Sequence, residues 1–181
     1  MPELIEKTPC DGLLPLSAAG VTLSEIPWAR ITSLAPFAGK DRAAATALKA
    51  LGLDWPAPGR AVTGGEAACL WAGRRLAFLV DAEPAGLGGV AALTDQSDAW
   101  ARMRLAGKAA EATLARLVPL DLRLAAFPTG SVVRTGLNHI MVMLHRVDTE
   151  IFEIMVIRSM AVTAAHDLYR TMTALAARQA I

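Results

Sequence analysis

A glycine-rich segment at residues 86–91 comes nearest to a nucleotide-binding motif. It fits the pattern G-x-G-x-x-A and follows a predicted strand that ends at Val80. A dinucleotide fingerprint needs its first glycine close to the strand and a full helix behind its last position, so that the helix N-terminus meets the pyrophosphate. Here residues 81–84 intervene and the apolar run ends at Leu93. The segment is therefore predicted to be an ordinary glycine loop, with a dinucleotide-binding module as a weaker alternative.

Three histidines raise the question of a metal site. His139 and His145 fall on one predicted strand stretch, where about 3.3 Å per residue separates their backbones by roughly 20 Å, too far to share one ion. His166 falls on the predicted final helix without the histidine partner one turn away that a helical zinc site uses. The three are therefore predicted to be solvated or hydrogen-bonded side chains rather than metal ligands.

Three arginines, Arg134, Arg146 and Arg158, lie on different predicted strands of the C-terminal half. If they converged, they could hold a carboxylate or a phosphate group. Arginines at strand ends also form surface ion pairs and contacts with partner proteins, in whose interfaces arginine is enriched. Both interpretations stay open, and the second is favoured.

The remaining candidates for chemistry are isolated. Asp95, Asp98 and Glu111 flank one predicted strand, and a carboxylate in such a position is usually solvated. Cys10 and Cys69 are too far apart in sequence and too few for a disulfide scaffold or a zinc cluster, so reduced thiols are expected. The sequence contains neither a G-x-S-x-G elbow nor a P-loop. No catalytic, cofactor-binding or metal-binding residue is therefore assigned.

The elements that would position these residues repeat along the chain. Trp-Ala-Arg occurs at residues 28–30 and again at 100–102, and Ala-Gly-Lys occurs at residues 38–40 and again at 106–108. An alanine-rich stretch that ends in leucines and an aspartate follows each Gly-Lys. Features matched in the same order indicate an internal duplication.

Each copy is predicted to contain a strand, a helix and a hairpin. Apolar residues alternate through 101–105, and Ala110, Leu114 and Leu117 share one face of a helix predicted over 108–117. In the second copy, strands are also predicted at 131–135, 140–146 and 151–157. A final helix is predicted at 160–177, and its packing face contains Val162, Ala165, Tyr169, Met172 and Ala176. In the first copy, the predicted elements are a strand at 29–34, a helix at 40–51 and a hairpin of 67–72 with 76–80. The predicted class is α+β, with duplicated split-βαβ (ferredoxin-like) halves, antiparallel or mixed sheets and helices on one face.

The domain plan consists of an extended N-terminal arm and one duplicated domain. The arm is predicted at residues 1–20 and the domain at 21–181, with the first repeat at about 21–92 and the second at about 93–181. The N-terminus lacks the basic start and the unbroken apolar core of a signal peptide, and no apolar run is long enough to span a membrane. A cytoplasmic protein is expected.

Composition points to a subunit of an assembly. Lysine and arginine number 18 and aspartate and glutamate 17, so no broad field exists to attract nucleic acid or an anionic membrane. The charged share is 19%, compared with about 25% in a typical soluble domain. A surface short of charge is typical of permanently assembled subunits, whose interfaces are apolar.

The second copy resembles the gamma subunits of heterotetrameric sarcosine oxidases over about residues 93–175. The likeness is carried by residues 100–108, Leu114-Ala115-Arg116-Leu117, Arg134-Thr135, His139-Ile140, Phe152-Glu153-Ile154 and Arg158-Ser159-Met160-Ala161. More broadly, the order of strand, glycine, helix, Arg-Thr strand and F-x-I hairpin is similar to the folate-binding aminomethyltransferase domain of the glycine cleavage T-protein and of dimethylglycine dehydrogenases.

The resemblance implies a bacterial cytoplasmic complex that oxidatively demethylates sarcosine to glycine with folate as the one-carbon acceptor. In that family the alpha subunit holds NAD and the folate site, the beta subunit holds FAD and covalent FMN, and the delta subunit binds zinc. The gamma subunit has no assigned cofactor. Partners of the alpha, beta and delta types are therefore implied, with no cofactor on this chain.

A departure from the aminomethyltransferases bears on the expected role. Those enzymes carry a Gly-Gly-Ile-like segment followed by acidic residues, whereas Gly88-Gly89-Val90 is followed here by two alanines. No catalytic carboxylate is therefore carried over. The favoured hypothesis is a non-catalytic structural subunit of the oxidase. The alternative is a free-standing folate- or small-anion-binding protein related to the aminomethyltransferases.

Overall fold

The computed structural model describes residues 5–179. In chain order the elements are β1 Leu16–Ala18, β2 Val21–Glu25, β3 Ile31–Pro36, α1 Asp41–Ala50, β4 Ala61–Gly64, β5 Ala67–Gly73, β6 Leu76–Val80, β7 Ala91–Asp95, β8 Trp100–Gly107, α2 Ala110–Leu114, β9 Val132–Leu137, β10 Ile140–Asp148, β11 Ile151–Ile157 and α3 Ala161–Gln179. Short 3-10 turns at Ser97–Ala99 and Arg158–Met160 precede β8 and α3. The predicted α+β class is confirmed.

The strands form two antiparallel sheets. Sheet A has six strands in the order β1-β2-β8-β11-β10-β9, and sheet B has five in the order β4-β5-β6-β3-β7. Every pairing between these strands is antiparallel. The hairpin connections predicted from the sequence at 67–80 and around Asp148 are both present.

The sheets pack face to face, and the helices cover their outer faces. Side chains of β5 and β6 meet Val132, Met143 and Met155 of sheet A in a core between the sheets. Ala44 and Leu48 of α1 pack on the other face of sheet B. Helices α2 and α3 pack on the outer face of sheet A, where the largest cluster of buried residues lies. Alanine-rich α1 and α3 suit this layering because alanine favours helix and lets a helix approach a sheet closely.

The two halves share one strand order. The order β4-β5-β6-β3 in sheet B corresponds to β9-β10-β11-β8 in sheet A, and a helix follows the first strand of each half. The glycines of the two repeated Gly-Lys pairs, Gly39 and Gly107, both have positive φ, 73° and 133°. Glycine adopts such angles at little cost, so each can end its strand before a helix. The repeat and domain boundaries themselves stay predictions.

Within the predicted N-terminal arm, residues 16–18 form β1, which pairs with β2 at the edge of sheet A. Cys10 is buried in the core beneath α3, and its backbone N–H donates to Glu25 Oε1 at 3.0 Å. The described part of the arm therefore lies against the domain. Residues 1–4 lie outside the described residues.

Two details of the helices differ from the sequence pattern. The helix predicted over 108–117 is only five residues long, although Ala110, Leu114 and Leu117 are buried as expected. The placement of Val162 on the packing face of α3 is wrong, because its side chain is exposed. The buried stripe begins at Ala161 instead, and the next residue of a helix lies about 100° around the axis.

Candidate functional site

A mainly apolar cavity of about 350 Å³ with one polar wall lies between the two sheets at one end of their shared core. This volume is within the range of about 300–1,000 Å³ typical of small-molecule pockets. Its apolar lining comes from both sheets: Ala68, Leu70, Val80, Met143 and Met155. Its polar lining includes His145, Glu153, Arg102 and Arg104 of sheet A. We call this space the inter-sheet cavity.

Strand register explains how the polar side chains come together. His145 of β10 pairs with Glu153 of β11, which pairs in turn with Arg104 of β8. Paired residues in neighbouring strands project on the same face of a sheet. In the adjacent row, Met143 pairs with Met155 and Met155 with Arg102, also on the face toward sheet B. The sequence therefore builds one continuous polar patch beside the apolar floor.

The charged groups of this patch are paired with one another. Arg104 Nη2 lies 2.7 Å from Glu153 Oε1, and Arg102 Nη2 lies 3.7 Å from Glu153 Oε2. Arg102 Nη1 also donates to Asp81 Oδ2 at 3.1 Å, which joins β8 to the residue after β6 in the other sheet. Because each guanidinium already faces a carboxylate, the cavity offers little net charge to an anionic ligand.

His145 differs from these charged groups. It is 6% exposed, and its side chain makes no hydrogen bond within the described residues. Burial lowers the pKa of its imidazole, and Arg102 and Arg60 act in the same direction, whereas Glu153 opposes them. A lowered pKa keeps the ring neutral near pH 7, with one nitrogen able to donate and the other able to accept.

The three candidate arginines do not converge. Arg146 points to the helix side of sheet A and donates to Glu111 Oε2 at 2.7 Å, to Thr149 O at 2.7 Å and to Leu122 O. Arg134 pairs with Met143 and so projects on the opposite face. Arg158 lies beyond the end of β11 and donates to Lys7 O. The anion-site interpretation of this trio is therefore not supported, and Arg146 is a buried structural residue.

The histidine and carboxylate candidates lie apart from one another, and His145 is buried without a side-chain hydrogen bond among the described residues, unlike the solvated or hydrogen-bonded side chain that was expected. His139 lies in the turn between β9 and β10, and His166 is exposed on α3. Residues 5–179 contain no group of three or more His, Cys, Asp or Glu residues suited to a metal ion. Asp95 accepts hydrogen bonds from the Ser97 hydroxyl and backbone N–H, which lower the pKa of its carboxyl. Asp98 lines a smaller cavity of about 160 Å³ together with Trp28 and Trp100.

Both cysteines are buried free thiols. Burial raises the pKa of Cys69 to about 12. Burial, helped by the neighbouring Glu25, raises the pKa of Cys10 to about 11. A thiol is nucleophilic only as the thiolate, so neither cysteine is poised for catalysis.

The glycine-rich segment at residues 86–91 forms a turn that leads directly into strand β7. A dinucleotide site would require a helix at this place, with its N-terminus facing the pyrophosphate. The prediction of an ordinary glycine loop therefore agrees with the structure.

No helix in the described part of the chain is long and apolar enough to cross a membrane.

The duplicated four-layer fold matches that of a solved oxidase chain. The match is to the heterotetrameric sarcosine oxidase from Corynebacterium sp. U-96 in complex with pyrrole 2-carboxylate, with a TM-score of 0.83 and 24% sequence identity, covering 94% of this chain and 96% of that chain. The resemblance inferred from the sequence is thus confirmed at the level of the fold.

Two further solved structures match with lower TM-scores. Escherichia coli aspartokinase III in complex with aspartate and ADP reaches a TM-score of 0.42 at 10% identity, covering 87% of this chain and 34% of that chain. The regulatory subunit of aspartate kinase from Thermus thermophilus reaches a TM-score of 0.38 at 14% identity, covering 85% of this chain and 97% of that chain. No protein-family model matches the sequence, and no curated protein sequence matches it significantly.

Proposed function

We propose that this chain is the non-catalytic gamma-type subunit of a heterotetrameric sarcosine oxidase and that it helps to hold the complex together. The observation that carries the proposal is the extent of the fold match, in which nearly all of this chain corresponds to nearly all of one chain of such an oxidase. The charge-poor composition supports a role in assembly, because obligate interfaces are apolar.

The chemistry would then belong to the whole complex. The resemblance assigns NAD and folate to an alpha subunit, FAD and FMN to a beta subunit, and zinc to a delta subunit, all in the cytoplasm. Oxidative demethylation of sarcosine to glycine, with folate as the one-carbon acceptor, would proceed on those partners. This chain would contribute packing surface.

One surface is suited to such packing. Trp28 is 64% exposed and lines the smaller cavity together with Trp100. Ile157 is also exposed, and it pairs with Trp100 at the end of sheet A. Met141 is exposed at the same end of the sheet, because it directly precedes Val142, which pairs with Val156. We call Trp28, Met141 and Ile157, with Arg134 and Arg158 at the rim, the open-end surface. Exposed aromatic and aliphatic groups beside arginines are typical of interface cores and anchors, and the partner should present apolar groups with acidic neighbours.

The direct test is affinity purification of the tagged full-length chain from its native cytoplasm. Partners are identified by mass, and the eluate is scanned for flavin absorbance. A large yellow complex that contains two bigger subunits and one smaller subunit would support the proposal. A colourless, self-contained protein would overturn it.

The contact surface has a separate test in the same purification. Replacing Trp28 and Ile157 together by serine should reduce the recovery of partners at least tenfold, because each removes an exposed apolar anchor. The matched control replaces Phe37 and Val162, which are exposed elsewhere, by serine. Equal recovery with both double variants would show that the open-end surface is not the interface, while leaving the subunit assignment intact.

A free-standing folate- or small-anion-binding protein is the competing function. It predicts a soluble monomer or homodimer whose melting temperature rises in a saturable way with folate or phosphate. The compensated charges around Arg102 and Arg104 give an anion no free guanidinium within the cavity, so the structure offers this alternative less support.

A further inference from the structure

We propose that the inter-sheet cavity binds an uncharged, mainly apolar small molecule that carries one hydrogen-bonding group for His145. The proposal concerns a ligand site on this chain and does not depend on the proposed role in assembly. It rests on the volume of the cavity, its lining and the unpartnered imidazole.

The apolar floor determines most of the ligand. Met143 and Met155 lie side by side on paired strands of sheet A, and Leu70 and Val80 face them from sheet B. Methionine side chains are flexible and polarisable, and they make favourable contacts with aromatic rings. A cavity of about 350 Å³ with such walls suits a flat, apolar molecule of roughly nine to twenty non-hydrogen atoms.

The charged wall excludes a charged ligand. Glu153 faces both Arg104 and Arg102, and Arg102 also faces Asp81. Glu66 also lines the cavity and forms no ion pair among the described residues, so the lining has no spare positive charge for an anion. An anionic ligand would lose its hydration and would have to break one of these pairs to gain a partner. A cationic ligand would also lose its hydration, and the unpaired carboxylate of Glu66 is exposed to water, which weakens such a contact. A neutral ligand leaves all of the ion pairs in place.

His145 supplies the specific contact. Within residues 5–179, the enclosed side-chain polar atoms without a hydrogen-bond partner are Trp100 Nε1 and Arg146 Nε, so the His145 ring nitrogens are not sealed off and stay accessible from the cavity. The imidazole is 6% exposed, lines the cavity and has no partner within residues 5–179. A ligand group that donates to or accepts from the ring would satisfy it at the boundary between the polar and apolar walls.

Indole is a suitable probe, because it is flat and neutral and has one N–H donor. The full-length chain, in whichever assembly it purifies, is labelled with ¹³C-methyl methionine and titrated with indole. The methyl signals of Met143 and Met155 should shift with saturation at a dissociation constant of about 1 mM or tighter. The methyl of Met103, buried on the helix side of sheet A, should not shift. Benzoate, which is similar in size but charged, should bind at least tenfold more weakly.

Two variants test the roles of the residues. His145→Leu should weaken indole binding at least tenfold while leaving toluene binding within about twofold, and His139→Leu, at an exposed histidine, should change neither. If His145→Leu does not fold, Thr63→Trp at the exposed rim of the cavity should block indole in a folded chain. The proposal would be overturned if the Met143 and Met155 signals did not shift, or if benzoate bound as tightly as indole. It would also be overturned if a folded His145→Leu or Thr63→Trp variant bound indole as tightly as the original chain.

Discussion

Arg146 is predicted to be one of the most costly polar residues to remove. Its side chain is 1% exposed and ties β10 to Glu111 on α2 and to the carbonyls of Leu122 and Thr149. Its guanidinium carbon also lies 4.4 Å from the ring centroid of Phe152. Arg146→Leu keeps an apolar side chain of fair size but removes every one of these interactions.

The magnitude follows from what the substitution leaves behind. Breaking a buried ion pair by removing one partner costs about 3–5 kcal/mol. Glu111 is 38% exposed and can regain water, which favours the low end, whereas two carbonyls lose donors and the cation–π contact is lost. We expect the free energy of unfolding to fall by about 3 kcal/mol. At about 2–4 °C per kcal/mol for a chain of this size, Tm should fall by roughly 6–12 °C.

Thermal and urea denaturation of the purified chain, followed by circular dichroism, measure this loss. Arg134→Leu is the matched control, because Arg134 is exposed on the same sheet, and it should change stability by less than about 0.5 kcal/mol. Glu111→Gln should cost about 1 kcal/mol or less alone, and close to nothing in the Arg146→Leu background. A loss below about 1 kcal/mol for Arg146→Leu would refute the assignment of Arg146 as a structural anchor.

Three further predictions concern His145, Cys69 and Gly107. Burial lowers the pKa of His145 in the folded chain below its unfolded value of 6.5, so the unfolded chain binds more protons as the pH falls below that value, and Tm should decrease. His145→Gln should make this decrease smaller. A variant whose Tm depends on pH in the same way as that of the original chain would contradict the prediction. Cys69, with a pKa of about 12, should react with a thiol reagent at pH 8 only after denaturation, and rapid reaction of the folded chain would contradict its burial. Gly107→Ala should destabilise the chain by more than about 2 kcal/mol, because a Cβ would clash with the Gly20 carbonyl and φ is 133°. Gly88→Ala, with open space around it, is the control and should be near neutral in a melting experiment.

Much of the fold is predictable from local patterns. Alternation through residues 101–105 identified β8 and its buried face, and the repeated Gly-Lys pairs marked the end of one strand in each half. These signals are local, because side-chain period and glycine conformation depend on neighbours along the chain. The shortness of α2 and the exposure of Val162 were not predictable in this way, since they depend on where the sheet ends beneath each helix.

The inter-sheet cavity shows why the site was harder to predict. Arg102 and Arg104 alternate with apolar residues, a pattern that also fits side chains facing water. Arg102 is nevertheless largely covered, with its side chain 12% exposed, whereas Arg104 stays 47% exposed, and their partner Glu153 lies 49 residues beyond Arg104 in the chain. Arg146 and Glu111 are likewise 35 residues apart. Strand register and sheet packing create these pairs, and neither is visible in sequence spacing.

The measurement that tests the central claim most directly is co-expression of the oxidase subunits with and without this chain. Native mass spectrometry then measures assembly, and turnover of sarcosine is measured per flavin. A non-catalytic assembly subunit predicts that omitting the chain abolishes most of the assembled complex, while any residual complex keeps its turnover per flavin. Full assembly without the chain, or demethylation of sarcosine by the chain alone, would contradict the account.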